Sequence, residues 1–204
     1  MNHLTLCLLL CCSFLARLYA DVAGSAEDVH PISVGEKAPN PSVRTLEGES
    51  VELDEVLNGQ PSILVFYRGG WCPYCTRHLS ALQHLLPEIK KEGWKLVALS
   101  PDRPEKLRET LAEKKLSYTL LSDSSLKAAA TFGLAFQLNP QTVTVLEGYG
   151  IDLVDASGED HLQLPVPAVI LVDSTGVVTF VHHDPDYKKR LDSDELLRAL
   201  RSDP

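Results

Sequence analysis

The stretch SILVFYRGGWCPYCTRHLSAL, residues 62–82, sets the frame for the rest of the chain. Ser62 to Tyr67 is a largely apolar run with branched and aromatic side chains, the pattern of a strand buried on both faces. After Cys72 the period changes. Leu79, Leu82, Leu86 and Ile89 fall on one face of a helix. Gly69 and Gly70 lie between the two patterns and permit a sharp turn. The stretch therefore predicts strand, turn and helix, with Cys72 and Cys75 at the junction. Such a pair is a structural staple, half of a metal site, or a working dithiol.

The chain has 204 residues, 44% hydrophobic and 23% charged, which suits one domain with a packed core. A net charge of -9 argues against a nucleic-acid partner. Leu4 to Leu18 is apolar apart from Thr5, Ser13 and Arg17, and is too short and interrupted to span a bilayer comfortably. It reads as a secretory signal over residues 1–20, with Asp21 opening the mature chain. An uncleaved anchor or a buried N-terminal helix are the competing readings. With a cut after Ala20 the product is secreted or periplasmic; left uncut, any membrane contact runs through residues 1–20 alone. Cleavage also removes Cys7, Cys11 and Cys12, leaving Cys72 and Cys75. A pair this close closes a tiny loop and adds little chain-entropy stabilisation, which weakens the staple.

Residues 21–33, rich in small and acidic side chains, read as a flexible lead-in to a domain spanning 34–204. Lys95–Leu99 and Tyr118–Leu121 read as strands. Pro104–Lys115 and Ser124–Phe132 read as helices, with Gly133 placed to end the latter. Pro87 is expected to kink or end the helix that begins near Cys72. Ala168–Val172 and Val177–Val181 form a hairpin across Asp173–Gly176. Asp192 and Glu195 resemble a capping box for a last helix through Leu200. Residues 134–164 fit no alternation and read as an insertion. Strands alternating with helices imply parallel pairing, and the hairpin adds antiparallel edges: an α/β fold with a mixed central sheet flanked by helices.

At the N-terminus of a helix, free N–H groups and the dipole favour an anion, so the thiol of Cys72 should ionise easily. Pro73 suits the first helical position. Cys75 lies one turn on, placed to attack a mixed disulfide formed at Cys72. Cys72, Cys75 and His78 also stand at three-residue steps, but a closed zinc site needs a fourth ligand. Soft thiolates with a histidine leave copper capture as a further reading. Trp71 and Tyr74 either cover the dithiol or contact substrate. Arg68 either lowers a thiol pKa or faces water. His182 and His183 read as a solvated strand end.

WCPYC after a buried strand resembles the WCxxC site of the thioredoxin superfamily. The flanks VGEKAPNPSVRTLEGESVEL (34–53), VFYRGGWCPYC (65–75), VALSPD (97–102), YTLLSD (118–123) and VPAVILVDSTG (166–176) resemble the peroxiredoxin branch, the AhpC/TSA-like proteins. The resemblance implies a thioredoxin-like fold and a thiol–disulfide oxidoreductase with an antioxidant or redox-homeostasis role. It implies no cofactor and no metal. Its partners would be protein disulfides or thiols, together with a reducing or oxidising thiol protein. A thiol-dependent peroxidase acting on peroxides is the alternative, with Cys75 as the peroxidatic and Cys72 as the resolving cysteine. A copper-binding protein is third, although the Sco proteins it would resemble have a CxxxC spacing.

This chain departs from the peroxiredoxin pattern FYPxxxTxxC. Arg68 stands at the Pro, Cys72 at the Thr and Cys75 at the peroxidatic Cys. The Arg expected before the fourth strand is replaced by Pro167. Pro167 instead resembles the cis-Pro of thioredoxins, which implies a cis Val166–Pro167 bond packed beside the dithiol and positioning substrate. The buried acid that thioredoxins carry six residues before the first Cys is Phe66 here.

Overall fold

A computed structural model describes residues 22–202; the expected secretory segment lies outside the described residues. Two short strands, β1 (Ser42–Arg44) and β2 (Ser50–Glu52), lead into helix α1 (Leu53–Leu57). Strand β3 (Ser62–Phe66) is followed by α2 (Pro73–Lys91), β4 (Lys95–Ser100), α3 (Pro104–Lys114), β5 (Thr119–Ser122) and α4 (Lys127–Thr131). Then come β6 (Ala135–Gln137), α5 (Pro140–Gly148), α6 (Leu153–Ser157), β7 (Gln163–Pro165), the hairpin β8 (Ala168–Val172) and β9 (Val178–His183), and α7 (Ser193–Ser202).

Seven strands form one mixed sheet in the order β2-β1-β5-β4-β3-β8-β9. β3, β4 and β5 run parallel, and β8 joins β3 antiparallel, Leu64 opposite Ile170. Strand alternation divides the core into two layers. Ile63, Val65, Leu96, Ala98, Val169 and Leu171 face the apolar sides of α2, α3 and α7. Leu64, Phe66, Val97, Leu99, Ile170 and Val172 face α1 and α4. The fold is the mixed sheet flanked by helices that the alternation implied, in the thioredoxin-like form that the resemblance implied. Among the described residues no helix is long and apolar enough to cross a membrane.

Several details go against expectation or beyond it. Helix α2 continues past Pro87 to Lys91, so the proline does not end it. Pro87 is exposed, so its ring meets solvent rather than the core. The lead-in is docked rather than loose from Val22 onward. Ala23 exchanges backbone hydrogen bonds with Ala135 and Gln137 at 2.9 and 2.8 Å, and Ile32 N–H donates to the Phe132 carbonyl at 3.1 Å. The insertion is structured: β6 and β7 pair, with α5 and α6 between them around Leu138, Leu146, Leu153 and Leu164. Finally, no peptide bond among the described residues is cis, so Val166–Pro167 is trans. The chain passes directly from β7 to β8, with Val166 N–H bonded to the Leu134 carbonyl at 2.8 Å. A trans bond keeps that passage extended, whereas a cis bond would fold it back.

Candidate redox site

β3 delivers the chain to the turn, and the turn delivers Cys72 to the helix. Cys72 is the N-cap of α2 and Pro73 its first residue. The turn needs glycine twice. Gly69 has φ +145°, and a Cβ there would lie 2.2 Å from Trp71 Nε1 and 2.7 Å from Asp102 Oδ1. A Cβ on Gly70 would lie 1.9 Å from Thr110 Oγ1. Gly70 N–H donates to buried Asp102 at 2.6 Å, which ties the turn to the end of β4. Asp102 is itself pushed up to about 7 by burial, a cost that this bond and its Ser100 neighbour only partly offset.

Both thiols are free and both residues are buried, Cys72 at 1% and Cys75 at 0% exposure. The two differ in outlook: Cys72 lines a pocket of about 630 Å³ and Cys75 does not. The pocket is walled by Trp71, Tyr74, Leu146, Tyr149, Ile151 and Tyr187, with Arg68 and Lys188 supplying charge. Three of the exposed large apolar side chains, Val145, Tyr149 and Tyr187, belong to it.

The thiol of Cys72 is pulled down to about 6. A hydrogen bond from the Cys75 thiol contributes most, against burial; the Cys75 and Tyr74 backbone N–H groups and the Arg68 charge add to it. The helix N-terminus thus acts as expected, but the second cysteine acts more strongly. Cys75 moves the opposite way, raised by burial and by its role as donor to Cys72.

Arg68 does not face water. It is buried, with its guanidinium 4.1 Å from the Tyr187 ring centroid and 5.2 Å from that of Trp71. Tyr74 meets Tyr187 edge-on at 5.7 Å. Trp71 and Tyr74 therefore both line the Cys72 pocket. Pro167 does not. It lines a neighbouring pocket of about 230 Å³, across Arg68 and Tyr187, with Pro165, Pro185 and the docked residues 24–27. Among the site residues that sequence reasoning missed are Tyr187 and Arg190. Both lie in the polar loop after β9, whose composition carries no periodic signal. Arg190 Nη2 donates to Cys75 Sγ at 3.4 Å.

No group of three or more His, Cys, Asp or Glu side chains among the described residues is arranged to hold a metal. His78 does follow Cys75 by one turn, but the Arg190 cation stands against Cys75, where a metal ion would be repelled.

A thiol of lowered pKa opening the helix after a central strand, with a second thiol one turn in, defines a thioredoxin-fold redox protein. The AhpC/TSA family model matches residues 34–181, and the chain belongs to that family. It is 33% identical over 106 residues to peroxiredoxin Bcp of Escherichia coli, covering 52% of this chain and 67% of that one. It is 29% identical over 149 residues to the thiol-disulfide oxidoreductase ResA of Halalkalibacterium halodurans, covering 72% and 67%. Peroxidoxin BcpB of Mycobacterium tuberculosis superposes with a TM-score of 0.65 at 20% identity, covering 85% of this chain and 99% of that one. Peroxiredoxin Q of Xanthomonas campestris gives 0.61 at 20% identity, covering 80% and 90%. These two share the fold.

Proposed function

We propose that the protein is a thiol–disulfide oxidoreductase in which Cys72 attacks and Cys75 resolves. The observation that carries this is the split between the two thiols: one held low at the wall of a pocket, the other held high behind it. In the exchange, the Cys72 thiolate attacks a client disulfide and the client S–S bond breaks. One client sulfur leaves as thiolate and the other stays bound to Cys72. Cys75 then gives up its proton, attacks the Cys72 sulfur and closes the Cys72–Cys75 disulfide, expelling the second client thiolate. Two electrons pass from the dithiol to the client, and a second thiol protein restores the dithiol. Trp71, Tyr74 and Arg68 hold the client segment in the pocket; Pro167 serves the adjoining one.

A trapping experiment tests the order of attack. Cys75→Ser should accumulate a covalent complex with a disulfide-bonded client, released by dithiothreitol, and Cys72→Ser should accumulate none. The reverse pattern would sink the assignment.

The second reading is a thiol-dependent peroxidase, in which peroxide oxidises Cys75 to a sulfenic acid that Cys72 condenses with. The Bcp relative, a peroxiredoxin by name, and the guanidinium on Cys75 favour it; the burial of Cys75 away from the pocket weighs against it. Fast formation of a sulfenic acid at Cys75 in the Cys72→Ser variant would put this reading first.

The apolar Leu4–Leu18 run supports work outside the cytoplasm, where dithiol exchange meets protein disulfides. Intact mass of protein exported by its native host should correspond to a chain starting within a few residues of Asp21. A mass that retains Cys7, Cys11 and Cys12 contradicts export by cleavage.

A further inference from the structure

The resolving thiol has a problem that the exchange mechanism leaves open. Cys75 is fully buried, and burial opposes the thiolate it must become. A carboxylate base from β3 is not there to help, because Phe66 occupies that strand position and packs against Phe132 on the other face of the sheet. The cation at Cys75 comes instead from the far end of the domain. Arg190 follows β9 and precedes α7. Its Nη2 donates to Cys75 Sγ at 3.4 Å.

The guanidinium is fixed from behind. Its Nη1 donates to the carbonyls of Lys189, at 2.6 Å, and Tyr187. Asp186 N–H donates to the Asp184 carboxylate at 2.8 Å, and Lys189 pairs with Asp184 at 3.3 Å, so the loop is folded on itself. Leu191, the next residue, is buried in the core between sheet and α2. Arg190 is thus held between a core anchor and an aromatic pocket wall, and its Nε is buried without a partner. That is a costly placement for a cation with no task at the thiol.

We propose that Arg190 is the positioning residue that readies Cys75 for the resolving step: it stabilises the Cys75 thiolate as that sulfur turns from donor to nucleophile. This rests on the reading in which Cys72 attacks first. When Cys72 is tied up in the mixed disulfide, it no longer accepts the Cys75 hydrogen bond as a thiolate. Cys75 then loses its proton to the departing client thiolate, and Arg190 is the charge left facing the sulfur. Tyr67 also senses Cys75, but burial holds its phenol neutral. His78, on the same helix, is pushed down to about 4 by burial, Arg190 and His182, so it is uncharged near neutrality and supplies no second cation. Arg68 reaches Cys75 with a backbone group and spends its charge on Cys72 and the aromatic rings. A cation at this distance is worth roughly 1–3 pKa units. The gain in intrinsic nucleophilicity as pKa rises returns about half of that on a logarithmic scale, so its loss should slow the step roughly 3- to 30-fold.

The test uses reduced protein and dithiobis(nitrobenzoate), which frees one coloured thiolate when Cys72 attacks and a second when Cys75 resolves. In Arg190→Met the first phase should stay within about twofold of the parent while the second slows roughly 3- to 30-fold and its pH midpoint moves up. Arg190→Lys, which keeps the charge but not the fork, should recover part of the second phase. If both phases slow together, or if Lys is no better than Met, Arg190 is only structural and the proposal falls. An unchanged second phase overturns it as well. If Cys75→Ser releases no coloured thiolate at all, the order of attack is wrong, and that failure is distinct from an Arg190 effect.

Discussion

Cys75→Ala is expected to move the pH midpoint of Cys72 alkylation up by roughly two units, from about 6 toward the ordinary thiol value near 8.5. The largest contribution to the low value is the hydrogen bond that the Cys75 thiol donates, and alanine removes it. Cys75→Ser keeps an O–H donor at the same place, so its midpoint should stay closer to the parent's. The sign follows from the thiolate being the reactive form. Reactivity appears above the pKa, so a lowered pKa extends reactivity to acid pH and the alanine variant loses it there. At pH near 5.5 the thiolate fraction falls by a little under a hundredfold, and greater intrinsic nucleophilicity returns up to about tenfold, leaving a loss of roughly tenfold. Arg68→Met should shift the midpoint less, because its charge comes after the Cys75 thiol and the Cys75 backbone N–H among the causes. Iodoacetamide kinetics across pH, with thiolate absorbance as a second readout, measure all three variants. A Cys75→Ala midpoint still near 6 would mean that the helix N-terminus and Arg68 set the thiol and that the pair is not hydrogen-bonded.

That prediction could not have been made from the sequence, which showed the helix N-terminus but not which neighbour contributes most. The strand–turn–helix frame was legible because each part has its own period: an unbroken apolar run for β3, three- and four-residue spacing for α2, glycines between. Parallel pairing followed from the alternation. What stayed hidden depends on contacts between distant segments. β1 and β2 are three residues each and carry no run long enough to read. The insertion buries Leu138, Leu146, Leu153 and Leu164 against one another, a small core spread over about thirty residues with no single amphipathic stretch. Arg190 lies 115 residues from Cys75 in a charged loop, and nothing local distinguishes it from its neighbours Lys188 and Lys189. Pro167 shows the converse error. Its place before a buried strand was read correctly, but the isomer and the pocket it lines depend on how β7 runs into β8.

Gly133→Ala is expected to destabilise the protein by about 2–4 kcal/mol or, if the domain tolerates it, to strip residues 22–33 from its surface. Gly133 ends α4 in the left-handed region at φ +70°, which costs a non-glycine residue roughly 1–2 kcal/mol. The second cost is steric and falls on backbone. A Cβ there would lie 2.0 Å from the His30 carbonyl oxygen and 2.8 Å from its carbonyl carbon. A flexible side chain could swing away, but His30 and Pro31 cannot move without breaking the Ile32–Phe132 hydrogen bond beside them and lifting Val29 out of its buried position. The strand-like bonds of Ala23 to Ala135 and Gln137 are next in line. Gly24 to Glu27 wall the pocket that also contains Arg68, Tyr187 and Pro167, so a lifted lead-in opens the far flank of Arg68. The two outcomes are separable. A global loss lowers the thermal midpoint with the lead-in still protected. Undocking leaves most of the midpoint intact while the amides of Ala23 and Ile32 exchange quickly and proteases cut within 22–33. If the variant melts within about 0.5 kcal/mol of the parent and those amides stay protected, the lead-in does not pack on Gly133 and the pocket beside Arg68 has a different wall.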